Sequence, residues 1–194
     1  MTELSFSRAI ARSVKIFSEV PDFASHEPKK LIDGLKLVNA AGLLTYVSSA
    51  GRNKEPLVTR RDTNVPDIMS ERAMLGGFML RDVALSFVDW INTNTDKVAI
   101  IPVYVKGRRS INIDNDVPIA IAMIHKGSKK EAFFYINGYI TPEIESSNRK
   151  EVHLSSDVDV LSVTIFDPKW GRHSWVKDGL INDVLAGLKA SHQS

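Results

Sequence analysis

Two apolar, β-branched runs end abruptly in short polar segments that contain glycine, and this pattern constrains the fold more than any other feature of the chain. The first run, Leu43–Val47, leads into Ser48-Ser49-Ala50-Gly51-Arg52. The second, Asp157–Phe166, leads into Asp167-Pro168-Lys169-Trp170-Gly171-Arg172. Runs of this length, bounded by turn chemistry, read as buried strands. Sheets with helices on their faces tend to hold ligands beyond their strand ends. If the two strands are parallel neighbours, both polar segments open on one edge. That edge then offers the hydroxyls of Ser48 and Ser49, the Asp167 carboxylate, the Arg172 guanidinium and an aromatic face. A mixture of this kind suits a polar, partly aromatic small molecule such as a nucleoside derivative. The other reading is a plain turn and salt bridge between Asp167 and Arg172, with Trp170 on the surface.

The remaining periodicities place elements around these runs. Leu4, Ile10, Val14 and Phe17 recur at helical spacing, with Arg8, Arg12 and Lys15 between them, and Pro21 closes that first helix. Pro28 suits the start of a second helix, whose stripe is Leu31, Leu35 and Val38, and Gly42 suits its left-handed cap. Residues 49–67, with Arg52, Lys54, Arg60 and Arg61, read as a long polar loop, either functional or a solvated excursion. Leu75, Met79, Val83, Phe87 and Trp90 step by about four residues, which predicts a helix capped by Ser70. That helix brings Glu71 and Arg72 towards the polar edge. Gly76 and Gly77 fall in its first turns, where each is unfavourable by about 1 kcal/mol, so a close approach to the sheet or to a ligand is expected there.

Further on, Lys97–Lys106 predicts a strand, and Pro102 within it argues for an edge or a bulge. Arg108, Arg109, Asp114 and Asp116 read as a charged turn. Ile119–His125 and Ala132–Ile136 predict an antiparallel meander, with a turn at 127–130 and a hairpin signal at Asn137-Gly138. Residues 142–157 read as irregular. A last helix, capped by Ser174, carries the stripe Val176, Leu180, Val184 and Leu188. There is no internal repeat. The expectation is a single α/β (α+β) domain over residues 1–194, a mixed sheet with an antiparallel meander and helices packed on its faces.

Composition narrows the chemistry. The 194 residues carry a net charge of +2 and no cysteine. A charge this small is no bulk signature for nucleic acid. Without cysteine there is no disulfide, thiolate metal site or cysteine nucleophile. The apolar runs are short of a membrane span and no leader pattern is evident, so a soluble intracellular (cytoplasmic) protein without a membrane partner is expected. The histidines at 26, 125, 153, 173 and 192 lack metal-ligand spacing, so no metal is expected. Ser48-Ser49-Ala50-Gly51 is not a nucleophile elbow, and neither a phosphate-binding loop nor a dinucleotide fingerprint is present.

The segment Ala41-Gly42-Leu43-Leu44-Thr45-Tyr46-Val47-Ser48 resembles one in the C-terminal regulatory domain of methylenetetrahydrofolate reductase, where the family reads Gly-x-Leu-Thr-Ile-Asn-Ser-Gln-Pro. Glu71-Arg72-Ala73-Met74-Leu75 is similar to that family's Gln-Lys-Ala-Tyr-Leu. Asp167, Trp175 and an amphipathic last helix match in kind. A group of uncharacterised microbial and viral proteins shares the first two motifs. The resemblance implies a domain that binds S-adenosylmethionine or S-adenosylhomocysteine, with Thr45 and Ser48 touching the ligand. The family's Asn, Gln and Pro are Val47, Ser49 and Ala50 here, and neither the reductase's reaction nor its flavin is carried over. In a regular strand, residues three apart face opposite ways, so Thr45 and Ser48 share a ligand only if the strand ends near Val47.

The leading expectation is therefore a small-molecule binding domain, with Thr45, Ser48 and Ser49 supplying hydroxyls, Asp167 and Arg172 at the second strand end, and Arg72 meeting a carboxylate. Two other classes stay open. One is a small enzyme on a nucleotide-like substrate, with His173 and Asp167 or Glu71 in acid–base roles. The other is a structural or interaction protein, a virion or assembly component or a homo-oligomer, that uses an exposed edge strand.

Overall fold

A computed structural model describes residues 4–19, 29–56, 68–104, 119–126, 129–136 and 139–193. The readings made at Pro21, Pro28, Arg60, Arg61, Arg108, Arg109, Asp114, Asp116, Gly127 and Asn137-Gly138 lie outside them. The elements run α1 (Phe6–Glu19), α2 (Lys29–Ala40), β1 (Leu44–Pro56), β2 (Ile68–Leu80), α3 (Arg81–Asn94), β3 (Val98–Ile100), β4 (Val103–Tyr104), β5 (Ile119–Lys126), β6 (Lys129–Ile136), β7 (Tyr139–Ile140), α4 (Pro142–Glu151), β8 (Val160–Phe166) and α5 (Leu180–Ser191). This is an α+β fold. Its larger sheet has the order β3-β8-β2-β5-β6, with β1 also on β2, and its ladders are antiparallel. A separate parallel pair joins β4 to β7, so β7 does not return along β6 at that point. The meander is present as β5–β6, where Lys126 pairs with Lys129.

The long β2 is the centre of the sheet and corrects the helix expected from Ser70 onwards. The four-residue steps from Leu75 to Phe87 run across a boundary: β2 ends at Leu80 and α3 starts at Arg81. Gly76 and Gly77 explain why the segment is a strand. A Cβ on Gly77 would lie 2.7 Å from the Leu44 carbonyl oxygen, and one on Gly76 would lie 2.6 Å from Val47 Cγ1. The two glycines let β1 close onto β2, and the Tyr46 ring passes over Gly76 to bond the Ser162 hydroxyl at 2.7 Å. Packing thus decided the state of residues whose spacing alone suits either period.

On the two sides of β2, Leu44 and Ser162 both stand opposite Phe78, and Ser49 and Phe166 both stand opposite Met74. Strands β1 and β8 are therefore parallel to each other with one strand between them. They are not neighbours, and their polar segments do not open together: Ser48–Arg52 stays in the sheet, paired with β2 from Leu75 to Glu71, whereas β8 ends at Phe166. The short β3 is an edge strand and stops just before Pro102, which lacks the N–H a ladder needs.

One face of the sheet carries α2, α3 and α5. Leu31, Leu35, Val38, Phe87, Ile91, Leu180, Val184 and Leu188 pack there on Leu75, Val163 and Ile165. Each such side chain contributes about 1.5–3 kcal/mol by leaving water. The other face buries Ala9, Leu44, Phe78, Leu154 and Val160 in a smaller cluster. Helix α1 is held there lightly, and Ala9 is its one fully buried residue among those described. Its entry is fixed by backbone bonds from Leu4 N to the His153 oxygen and from Ser155 N to the Leu4 oxygen, both 2.9 Å.

Three local features meet their chemistry in different ways. Gly42 (φ 111°) ends α2 as expected: Leu43 N donates to Val38 O and Gly42 N to Asn39 O, the paired bonds of a Schellman cap. Helix α4, expected to be irregular, has Thr141 as its N-cap, Pro142 at its start, acids in its first turn and bases in its last. Helix α5 begins at Leu180, later than expected, with Gly179 as N-cap. Ser174 does not cap it. The Ser174 N–H instead donates to Ala50 O, and its carbonyl accepts from Ile181 N.

Candidate functional site

Thr45 and Ser48 open on one cleft of about 350 Å³ between α1, α2, β1 and the turn after α4. The expected condition, a strand that ends near Val47, is not how this comes about. Strand β1 continues to Pro56, but its register shifts between Thr45 and Val47. Thr45 stands opposite Gly77 and Ser48 opposite Leu75, residues that are two apart on β2. The extra residue, Tyr46, is a bulge that turns a spacing of three into an effective spacing of two. Both hydroxyl residues therefore meet the same cleft.

The cleft has apolar walls and a polar rim. Helix α1 gives Ile16 and Phe17, α2 gives Ile32 and Leu35, and β1 gives Tyr46 and Val47. The polar members are Arg12, Ser13, Thr45, Ser48, Glu151 and His153. Two of these are engaged in structure. Buried Asn39 accepts from Ser13 Oγ (3.0 Å) and Thr45 N (3.0 Å), and donates to Leu35 O (2.8 Å) and Thr45 Oγ1 (2.7 Å). All of its amide capacity is used, which welds α1, α2 and β1 together. Thr45 Oγ1 accepts from Asn39 and keeps its own proton to donate.

The side chains of Arg12, Ser48, Glu151 and His153 make no hydrogen bond or ion pair among the described residues. His153 is further set apart by its backbone. Leu154 N donates to Arg149 O and His153 N to Lys150 O, so His153 holds the left-handed position of the cap that ends α4, with φ 57°. Glycine is the ordinary occupant of that position, and a side chain with a Cβ is strained there. The strained residue directs an unengaged imidazole to the cleft.

The other expected site residues gather elsewhere, at the end of β8. Asp167 is fully buried. Its Oδ1 accepts from Lys169 N (2.9 Å) and Arg172 Nη2 (2.7 Å), and its Oδ2 accepts from Arg172 Nε. Arg172 also donates to Asp96, as does Lys169 at 3.0 Å. Lys97, its side chain 1% exposed, meets Asp96, Asp183 (2.8 Å) and the Asp178 carbonyl (3.0 Å). Three carboxylates thus balance three cations, and the donors of Lys97 and acceptors of Asp167 are taken. Burial would raise the Asp96 carboxyl, but hydrogen bonds from Lys97, Lys169 and Arg172 outweigh it and hold the group well below the ordinary carboxylate range. The Asp167 hydrogen bond, and then the Asp96 one, push the Arg172 guanidinium above its ordinary value against the effect of burial. This is the salt-bridged turn that was the simpler of the two readings.

Ser49 and Arg72 lie outside the cleft as well. Ser49 Oγ donates to Glu71 Oε2 (3.3 Å), which also meets Arg52 Nε at 3.1 Å. The Arg72 guanidinium stacks over Trp170, 4.5 Å from the ring centre. Burial lowers the Arg72 pKa, partly offset by the charge of Asp167. His173 stacks on Trp175 (4.6 Å, 10° between planes), and no hydrogen bond joins it to Asp167 or Glu71 among the described residues. Its buried Nδ1 and the Ser174 hydroxyl have no hydrogen-bond partner there.

Of the polar residues that line the cleft, the sequence singles out Thr45 and Ser48 and not Arg12, Glu151 or His153. Nothing in the sequence brings positions 12, 45 and 151–153 together. The signal nearest to one was the Thr141-Pro142 helix start, which sets where α4 ends. No group of His, Asp and Glu suited to a metal ion occurs among the described residues, and no helix there is long and apolar enough to cross a membrane. No protein-family model matches the chain, and no curated protein matches it.

Proposed function

We propose that the chain is a small-molecule binding domain, possessed of one ligand cleft between α1, α2, β1 and the end of α4, and that its ligand is S-adenosylmethionine, S-adenosylhomocysteine or a related nucleoside. The observation that carries this reading is the contrast between two polar clusters. Around Asp167 the polar groups satisfy one another, as in a structural network. Around the cleft, Ser48, His153 and the exposed Arg12 and Glu151 have no side-chain hydrogen bond or ion pair among the described residues and stand beside apolar walls. Binding sites combine an apolar body with a few convergent polar groups, and about 350 Å³ lies at the small-ligand end of the usual range. In this reading Ile16, Phe17 and Tyr46 cover the flat base, and the Thr45 and Ser48 hydroxyls meet the ribose. Asp167 and Arg172 hold the strand ends, and Ser49 and Arg72 stand apart from the ligand. A soluble, cytoplasmic setting without a metal cofactor belongs to the same reading.

Calorimetric titration tests it, with S-adenosylmethionine, S-adenosylhomocysteine, ATP and adenosine as the four ligands. Saturable micromolar binding of the first two, weakened about tenfold by Ser48→Ala, is the expected result, since one lost hydrogen bond to a ligand costs on the order of 1 kcal/mol or more. No heat with any of the four overturns it.

A further inference from the structure

Arg12 and Glu151 are the two charged side chains of the cleft, and they stand on different walls. Arg12 belongs to α1 and Glu151 to the last turn of α4. They do not pair with each other, and neither makes an ion pair with another described residue. Both are exposed, so solvent and a bound ligand can each reach them. A cation and an anion that line one cleft from two different helices, without pairing, form a frame for a ligand end that carries both charges. A carboxylate alone would meet Arg12 but leave Glu151 facing a like charge. A phosphate dianion would fare worse against Glu151. An α-amino-carboxylate answers both walls, its carboxylate on the guanidinium and its ammonium on the glutamate.

We infer that the cleft reads the zwitterionic end of its ligand through Arg12 and Glu151, and that these two residues set its specificity. This rests on the cleft being the ligand site. The alignment of the frame is fixed at both walls. The N-terminal end of α1 is tied to the turn after α4 by the Leu4–His153 and Leu4–Ser155 backbone bonds, and its middle is tied to α2 through Ser13 and Asn39. The elements that carry the two charges are therefore tied to each other and to α2.

The experiment varies only the ligand end. S-adenosylhomocysteine (zwitterion), methylthioadenosine (no charge) and adenosine monophosphate (dianion) are titrated against the wild type and against Arg12→Gln, Glu151→Gln and Lys15→Gln. Lys15 lies on α1 outside the cleft and controls for general loss of positive charge. The wild type should prefer S-adenosylhomocysteine to methylthioadenosine by about tenfold, the lower part of what hydrogen bonds to charged groups provide at a partly exposed rim. Adenosine monophosphate should bind no better than methylthioadenosine. Arg12→Gln and Glu151→Gln should each bring the first ratio towards one, and Lys15→Gln should keep it. Equal binding of the zwitterion and the uncharged nucleoside, or a ratio unmoved by both rim variants, overturns the inference and leaves the cleft reading intact. Adenosine monophosphate binding as tightly as S-adenosylhomocysteine overturns it too, since the rim would then read an anion only. Binding of none of the three overturns both the inference and the reading it rests on.

Discussion

Thr45 and Ser48 carry the same functional group, and the structure gives them different work. The Thr45 hydroxyl accepts from the buried Asn39 amide, which it shares with Leu35, Ser13 and its own backbone. The Ser48 hydroxyl faces the cleft with no such tie. Thr45→Ala should leave a buried amide donor without its acceptor and lower stability by about 1–3 kcal/mol. Ser48→Ala should change stability by no more than about 0.5 kcal/mol, as surface changes away from such features do. Urea denaturation of both variants checks this, and equal midpoints would remove Asn39 as the joint of α1, α2 and β1. The consequence for function is practical: a loss of binding in Thr45→Ala mixes fold with site, whereas Ser48→Ala reports the site. The sequence singles out both residues through the resemblance of the segment Ala41–Ser48. That they share a cleft is not legible there, because the bulge at Tyr46 leaves no mark in a pattern of alternating residues.

At the scale of elements, the sign of a single substitution separates the two readings of residues 70–91. If Gly77 lay in an exposed helix, alanine there would stabilise by about 1 kcal/mol. In the strand, the added methyl meets the Leu44 carbonyl and Leu43 Cδ1, both at 2.7 Å. Backbone cannot step aside cheaply, so Gly77→Ala should destabilise by about 1–3 kcal/mol or more. Thermal melting of the variant gives the sign directly, and a raised melting temperature would contradict the β1–β2 approach. The errors of element type have different causes. Residues 49–56, expected as the start of a loop for their polar content, continue β1 because they pair with β2. The residues from Ser70 to Leu80 were misread because Leu75 and Met79 continue, in register by chance, into the true helical stripe of α3. Helix α4 was missed because its apolar content is small: it has Ile144, which is exposed, and no stripe. Its caps and its charge pattern were there to be read. Helices α1 and α2, the Gly42 cap and the core runs of β1 and β8 were legible because period and punctuation agree in them.

At the scale of the whole molecule, the Asp96 network joins parts that are far apart in the chain. It binds the approach to β3 through Asp96 and Lys97, the end of β8 through Asp167, the following turn through Lys169 and Arg172, and α5 through Asp183. Its pH dependence follows from the sign of one shift. The Asp96 carboxyl titrates lower in the folded protein than in the unfolded chain, because the gain from Lys97, Lys169 and Arg172 exceeds the effect of its burial. The unfolded chain therefore binds more protons as pH falls, and the contribution of Asp96 is whole above the ordinary carboxylate range near 4 and drains away below it. Asp96→Asn should lower stability at neutral pH and flatten the acid limb, so that the variant and wild-type curves converge as pH falls from about 5 towards 2. Salt should shrink the difference, since the Asp96 side chain is 44% exposed. Asp159 is the comparison. Its hydrogen bond from Arg81 also lowers its pKa, but both side chains are more than half exposed, and Asp159→Asn should hardly move the curve. Denaturant midpoints measured across this pH range decide the matter. If the Asp96→Asn and wild-type curves run parallel to the lowest pH, the cluster is an ornament of the surface. If they converge while Asp159→Asn tracks the wild type, the charges around Asp167 are held for the fold, and the cleft beyond α1 is left as the place where this protein keeps polar groups for something else.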